Sequence, residues 1–128
     1  MIVGAGIDVV RISRVSRLIM DHAADLDRVF TERERVFCER GPGRHRAARY
    51  AAILAAKEAV MKALATGWRS DVGFGDIETR DPDAPDEAIL RGPARKVADD
   101  QGIDRLLLST AWTADTAMAA AIAAGRLR

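Results

Sequence analysis

The stretch from Arg46 to Leu64, "RAARYAAILAAKEAVMKAL", constrains the fold more than any other part of this chain. It reads as one helix, roughly 28 Å long at ~1.5 Å per residue. Alanine and other apolar residues make up most of it, so it is built to be buried. Lys57, Glu58 and Lys62 interrupt that composition, and charges on a buried helix are costly unless something pairs with them. On a 3.6-residue wheel Arg46, Arg49, Tyr50, Ile53 and Lys57 share one side, while Glu58 and Lys62 fall four residues apart on another. The plain reading of Glu58 and Lys62 is a surface ion pair worth ~0.3–0.5 kcal/mol. The other reading is that these charges hold a charged ligand.

The segments around this helix suggest what covers it. "MIVGAGI" reads as a first strand ending at Asp8, followed by a short amphipathic helix over "VVRISRVSRLIM" with Arg11, Arg14 and Arg17 on its polar side. "TERERVFC" opens with Thr31 and has Glu34 three residues later, the signature of a capping box on another short helix. "ERGPGRH" is a loop, and "ATG" at 65–67 ends the long helix. Farther on, "FGDIETR" and "EAILRG" look like strands flanking an acidic turn, and "PARKVADDQG" is a helix with Pro93 near its start and Gly102 at its stop. "RLLLSTAW" and "TAMAAAIAA" read as two closing strands, with a helix as the alternative for the alanine-rich second. This order predicts an α+β fold, one long helix on an antiparallel sheet, in a single domain over residues 1–128.

Charge narrows the partners. Residues 1–70 hold 13 Lys and Arg against 8 Asp and Glu, whereas residues 71–128 hold 7 against 11. A basic first half suits an acidic partner or a phosphate-bearing ligand, unless the arginines are only solvated surface. Aromatic residues are 5% and no nucleic-acid recognition motif is present, so nucleic acid is a weak candidate. No apolar run nears the ~20 residues of a membrane span. The N-terminus lacks the basic region of a signal peptide, and the single Cys38 fits a reducing compartment, so the expected location is cytoplasmic. Cys38 is expected to be a small buried residue, and His22 and His45 surface residues.

Asp8 has a bland role available, as N-cap of the helix that follows. Taken with Glu58 it suggests more, because strand ends and helix middles can meet in a packed domain. Magnesium sits on one or two carboxylates and completes its shell with waters and substrate phosphates. Two carboxylates with nearby lysines would therefore suit a magnesium–pyrophosphate site.

"GID" at 6–8 followed by "AAKEAVMKALATG" at 55–67 resembles the holo-acyl-carrier-protein synthases, the small type of 4′-phosphopantetheinyl transferase. "FTERE" at 30–34, "GDIETR" at 75–80, the acidic turn ending in Pro85, then "LRG" and a helix follow in the order of that family. The resemblance implies an enzyme that moves the phosphopantetheine arm of coenzyme A onto a serine of an apo acyl carrier protein of fatty-acid or polyketide synthesis. It implies Mg2+ on Asp8 and Glu58, Lys62 near the reacting phosphate, and Lys57 as a further phosphate contact. It also implies a homotrimer with sites between subunits, and docking of the acidic carrier protein on Arg14, to which Arg11 and Arg17 are added by extension.

The chain departs from the family pattern at four positions. In "STAWT" at 109–113, Ala111 and Trp112 stand where the family has a serine and a phosphate-binding histidine. Trp112 carries no charge; it either packs in the core or stacks on the adenine. Ile53 interrupts the basic side of the long helix, and Ala65 replaces a glycine after it. An alternative function follows from these losses, namely binding of a carrier protein or its cargo without coenzyme A-dependent transfer.

Overall fold

The structure is a computed structural model that describes residues 1–65 and 71–126. Strand β1 (Ile2–Arg11) leads into helix α1 (Ile12–Asp21), α2 (Leu26–Val29), α3 (Glu32–Glu39) and the long α4 (Arg46–Ala63). Strands β2 (Ile77–Glu78) and β3 (Glu87–Leu90), helix α5 (Gly92–Asp100), β4 (Ile103–Trp112) and β5 (Thr116–Gly125) complete the chain. The strands form one sheet in the order β1-β5-β4-β3-β2, antiparallel throughout, with α4 on one face. The fold is α+β, as the order of elements predicts.

Small residues decide how α4 meets the sheet. Ala51, Ala55, Ala59 and Ala63 are buried on the helix, and Ala117, Ala119, Ala121 and Ala123 are buried on β5. The contact with β1 is closer still. A Cβ added at Gly6 would stand 2.1 Å from the Ala59 carbonyl oxygen, and one at Gly4 would stand 2.3 Å from that of Ala63. Both positions need glycine because the backbones themselves touch there.

Several boundaries differ from the sequence pattern. β1 does not stop at Asp8; Val9, Val10 and Arg11 pair with Met118, Ala117 and Thr116, so ladder hydrogen bonds override the helical spacing of these residues. Asp8 is therefore a strand residue, and the N-cap of α1 is Arg11, with no side-chain cap. "FGDIETR" gives a 3₁₀ turn (Phe74–Asp76) and only a two-residue strand. β5 is a strand despite its alanines, because it is paired on both edges. A short 3₁₀ turn and α2 fill the stretch 23–29, which carries no clear pattern in the sequence. Of "ATG", Thr66 and Gly67 lie outside the described residues.

Gln101 Nε2 donates to the Leu64 carbonyl at 2.8 Å and satisfies one free acceptor at the end of α4. Ala65 follows with φ +55°, the left-handed conformation that glycine adopts at no steric cost. Ala65→Gly is expected to stabilise the protein by about 0.5–1 kcal/mol, and chemical denaturation should show it. An unchanged midpoint would mean that the turn carries no strain. Cys38 is fully buried, and burial pushes its thiol up to about 12, so it is packing rather than a nucleophile.

Candidate active site

Asp8, Glu58, Lys62 and Arg14 come together where β1, α4 and α1 meet. Asp8 lies on the helix-facing side of β1, two residues beyond Gly6, where the bare backbone lets the strand run against α4. Glu58 and Lys62 project from one face of α4. Lys62 does not pair with Glu58 as the i,i+4 reading has it. Its Nζ donates to Asp8 Oδ1 at 2.9 Å and to the Ile7 carbonyl at 3.0 Å. Arg14 Nη2 stands 4.0 Å from Glu58 Oε1, with its side chain mostly in solvent.

The two carboxylates feel each other. Burial pushes Asp8 up, but its hydrogen bonds with Glu58 and Lys62 outweigh this and hold it below its ordinary value. Burial and the contact with Asp8 together push Glu58 up to about 7. The hydrogen bond to Asp8 raises Lys62. Asp8 Oδ2 is buried and has no hydrogen-bond partner. An orphaned carboxylate oxygen beside a second, crowded carboxylate is a donor set of hard oxygens that suits a divalent cation. Among the described residues no three of His, Cys, Asp and Glu converge. The site thus offers two protein carboxylates, the number magnesium uses when phosphates and waters supply the rest.

Lys57 lies elsewhere. It is completely buried, its Nζ is 2.7 Å from Glu34 Oε1, and it donates to the carbonyls of Val29 and Phe74, each at 2.8 Å. The expectation that Lys57 faces a phosphate does not hold in this structure, because all its donors are used inside the protein. Glu34 is the other half of this knot. Its Oε1 also accepts from the Thr31 backbone N–H, completing the capping box of α3, and its Oε2 accepts from the backbone N–H and hydroxyl of Thr79. In the sequence Glu34 is visible only as a capping residue. The one further signal was Lys57 itself, a cation in an apolar helix that needed an acid from outside it.

Trp112 is 41% exposed rather than core, and its ring centroid is 6.5 Å from that of His45 at the start of α4. It follows Thr110 on the same side of β4. Ile53 is buried and lines a cavity of about 230 Å³ between α4 and β4, together with Ala56, Thr79, Arg80, Ser109 and Thr110. Ala111 lies on the opposite face of the sheet, across from Met118. Arg11, Arg14 and Arg17 are all exposed, Arg11 as the last residue of β1 rather than on the helix. No helix among the described residues is long and apolar enough to cross a membrane.

Comparison with known proteins gives a consistent picture. Residues 4–117 match the family described as the 4′-phosphopantetheinyl transferase superfamily. The chain is 40% identical over 126 residues to a holo-[acyl-carrier-protein] synthase of Syntrophotalea carbinolica, covering 95% of each protein. Among solved structures it is similar to the holo-[acyl-carrier-protein] synthase of Neisseria meningitidis, with TM-score 0.78 and 34% identity over 97% of this chain and 99% of that one. It is also similar to that of Helicobacter pylori in complex with coenzyme A, with TM-score 0.73 and 25% identity over 94% and 99% of the two chains.

Proposed function

The chain belongs to the holo-acyl-carrier-protein synthase family of the 4′-phosphopantetheinyl transferase superfamily, and from that premise we propose that it moves the phosphopantetheine arm of coenzyme A onto a serine of an apo acyl carrier protein with the help of Mg2+. The observation that carries this reading is the Asp8–Glu58–Lys62 cluster with the buried, unpartnered Asp8 Oδ2. Asp8 and Glu58 would hold the metal, which supplies positive charge for the pyrophosphate and the departing phosphate.

In the transfer the serine oxygen bonds to the β-phosphorus, and the bond from that phosphorus to the bridging oxygen breaks. Adenosine 3′,5′-bisphosphate leaves with the electron pair. Lys62 stands beside the carboxylates with its side chain half in solvent, placed to donate to a phosphoryl oxygen as charge builds there. Glu58, whose carboxyl is pushed up to about 7 by burial and by Asp8, would be a candidate acceptor for the serine proton. Arg14, exposed but at the edge of the cluster, can greet an acidic carrier protein next to the reacting centre, with Arg11 and Arg17 extending the basic surface. Trp112 offers an exposed face on which an adenine could stack.

The outer face of the sheet supports a homotrimer. Ile7 and Val9 of β1 are 68% and 61% exposed, and Met118 lies across from Val9 on the same uncovered face. Such an apolar face marks an interface. Sedimentation is expected to give a mass of three copies, and Met118→Glu should shift it towards one; a monomeric native protein would remove the shared site.

The test of the reading is the intact mass of an apo acyl carrier protein after incubation with this protein, coenzyme A and magnesium, beside an EDTA control. A magnesium-dependent gain of one phosphopantetheine arm supports it. No gain by folded protein, with carrier binding retained, favours the alternative of carrier binding without transfer.

A further inference from the structure

We propose that Arg14 couples the docking of an acidic carrier protein to the divalent-cation site, by standing against Glu58 in the free protein and opposing a cation there until a partner carboxylate draws it away. The inference rests on the functional reading above. It adds to it a positioning role for Arg14, exerted through Glu58, and a linkage between two binding events.

The two cations at the cluster are divided between its two acids. Lys62 belongs to Asp8, and its bonds to Asp8 Oδ1 at 2.9 Å and to the Ile7 carbonyl at 3.0 Å hold it in place. Glu58 has Arg14, whose charge acts on it more strongly than that of Lys62, whereas the order is reversed at Asp8. The hold of Arg14 on Glu58 is loose. Its Nη2 stands 4.0 Å from Oε1, beyond hydrogen-bond reach, and its side chain is 67% exposed against 24% for the glutamate. Charge alone keeps the two together, and such a contact is easily exchanged for a better one.

The backbone beneath Arg14 is fixed, so the exchange involves the side chain only. Helix α1 buries Val15 and Ile19 and packs on α4. At its start the Ile12 backbone N–H donates to the Asp115 carbonyl at 2.9 Å, tying the helix to the turn between β4 and β5. Arg14 is thus a long, free side chain on a rigid mount. It reaches Glu58 on one side and solvent, where a partner arrives, on the other.

The consequence is a linkage of defined sign. A divalent cation on Asp8 and Glu58 meets the positive charge of Arg14 across the same carboxylate, and like charges a few ångströms apart oppose each other. A carboxylate of the carrier protein that pairs with Arg14 offsets that charge and leaves Glu58 to the metal. Docking therefore tightens magnesium, and magnesium must tighten docking by the same factor.

The experiment is calorimetric titration of magnesium into the native protein, Arg14→Gln, Arg14→Lys and Arg17→Gln, each alone and with saturating apo acyl carrier protein, with melting curves to confirm folding. Alone, Arg14→Gln is expected to bind magnesium about three- to tenfold more tightly than the native protein, as removal of one nearby like charge allows. Arg14→Lys should fall between them. Arg17, one turn farther along α1, has no carboxylate partner among the described residues, so Arg17→Gln should bind magnesium as the native protein does. Carrier protein should tighten magnesium on the native protein by a similar factor and leave Arg14→Gln unchanged. Carrier binding to the native protein should weaken by that factor when EDTA replaces magnesium. An Arg14→Gln with native or weaker magnesium affinity overturns the proposal, as does a native protein whose magnesium affinity ignores the carrier. Magnesium-dependent transfer by the native protein would still leave the functional reading standing. A folded native protein that binds neither magnesium nor carrier protein overturns both. Where Arg14→Gln binds carrier too weakly to saturate, the titrations without carrier decide.

Discussion

Lys57→Met is expected to destabilise the protein by about 3–5 kcal/mol, the cost of leaving a buried carboxylate without its partner. Methionine fits the apolar path of the lysine stem, so packing is nearly kept and the loss is electrostatic. Glu34 would remain at 0% exposure, holding Thr31 and Thr79 with no cation beside it, while the carbonyls of Val29 and Phe74 lose their donor. The melting temperature should fall by roughly 10–20 °C. Adding Glu34→Gln should recover part of this, because an amide can still accept from Thr79 and carries no charge. A single variant as stable as the native protein would show that the pair contributes nothing net. The knot ties α3, α4, the segment before α3 and the turn at Phe74–Asp76, so its loss is expected to loosen that side of the molecule.

Glu58→Gln should have the opposite profile. Transfer to a carrier protein is expected to fall by about 10²–10³-fold or more, as happens when a group aimed at developing charge is removed. Stability should stay level or rise, since burial and then the contact with Asp8 push Glu58 up to about 7, so its charged form is disfavoured in the protein alone. Intact-mass rates together with a melting curve check both halves. A variant that transfers at the native rate would take Glu58 out of the chemistry. Comparing the two neighbours on α4 tests whether Lys57 serves the fold and Glu58 the reaction.

The sequence pattern carries α4, the closing strands and the capping box of α3 clearly, because periodicity and capping are local. It suggests Asp8 and Glu58 as a pair of acids, but only the resemblance to the family singles them out together with Lys62. Lys57 shows where this kind of inference stops. A helical wheel gives the angle of a side chain but not what covers it, and the cover here is Glu34, 23 positions earlier. The end of β1 was hidden for a related reason. Val9 and Val10 fit a helical spacing equally well, and only their pairing with β5 settles them as strand. Trp112 looks like a core residue by type, but it sits at the last position of β4, where the core has run out.

The backbone contact at Gly6 and Ala59 sets how much change the site tolerates. Most pairs of elements are kept apart by side chains, and a substitution shifts their separation by fractions of an ångström. Here the β1 backbone lies against the Ala59 carbonyl, so the reach from Asp8 to Glu58 is gauged chiefly by main-chain atoms. Repacking elsewhere in the core can proceed without moving the two carboxylates relative to each other. The cavity flank of α4, by contrast, is lined by side chains, so substitutions there can reshape it while the two carboxylates keep their places.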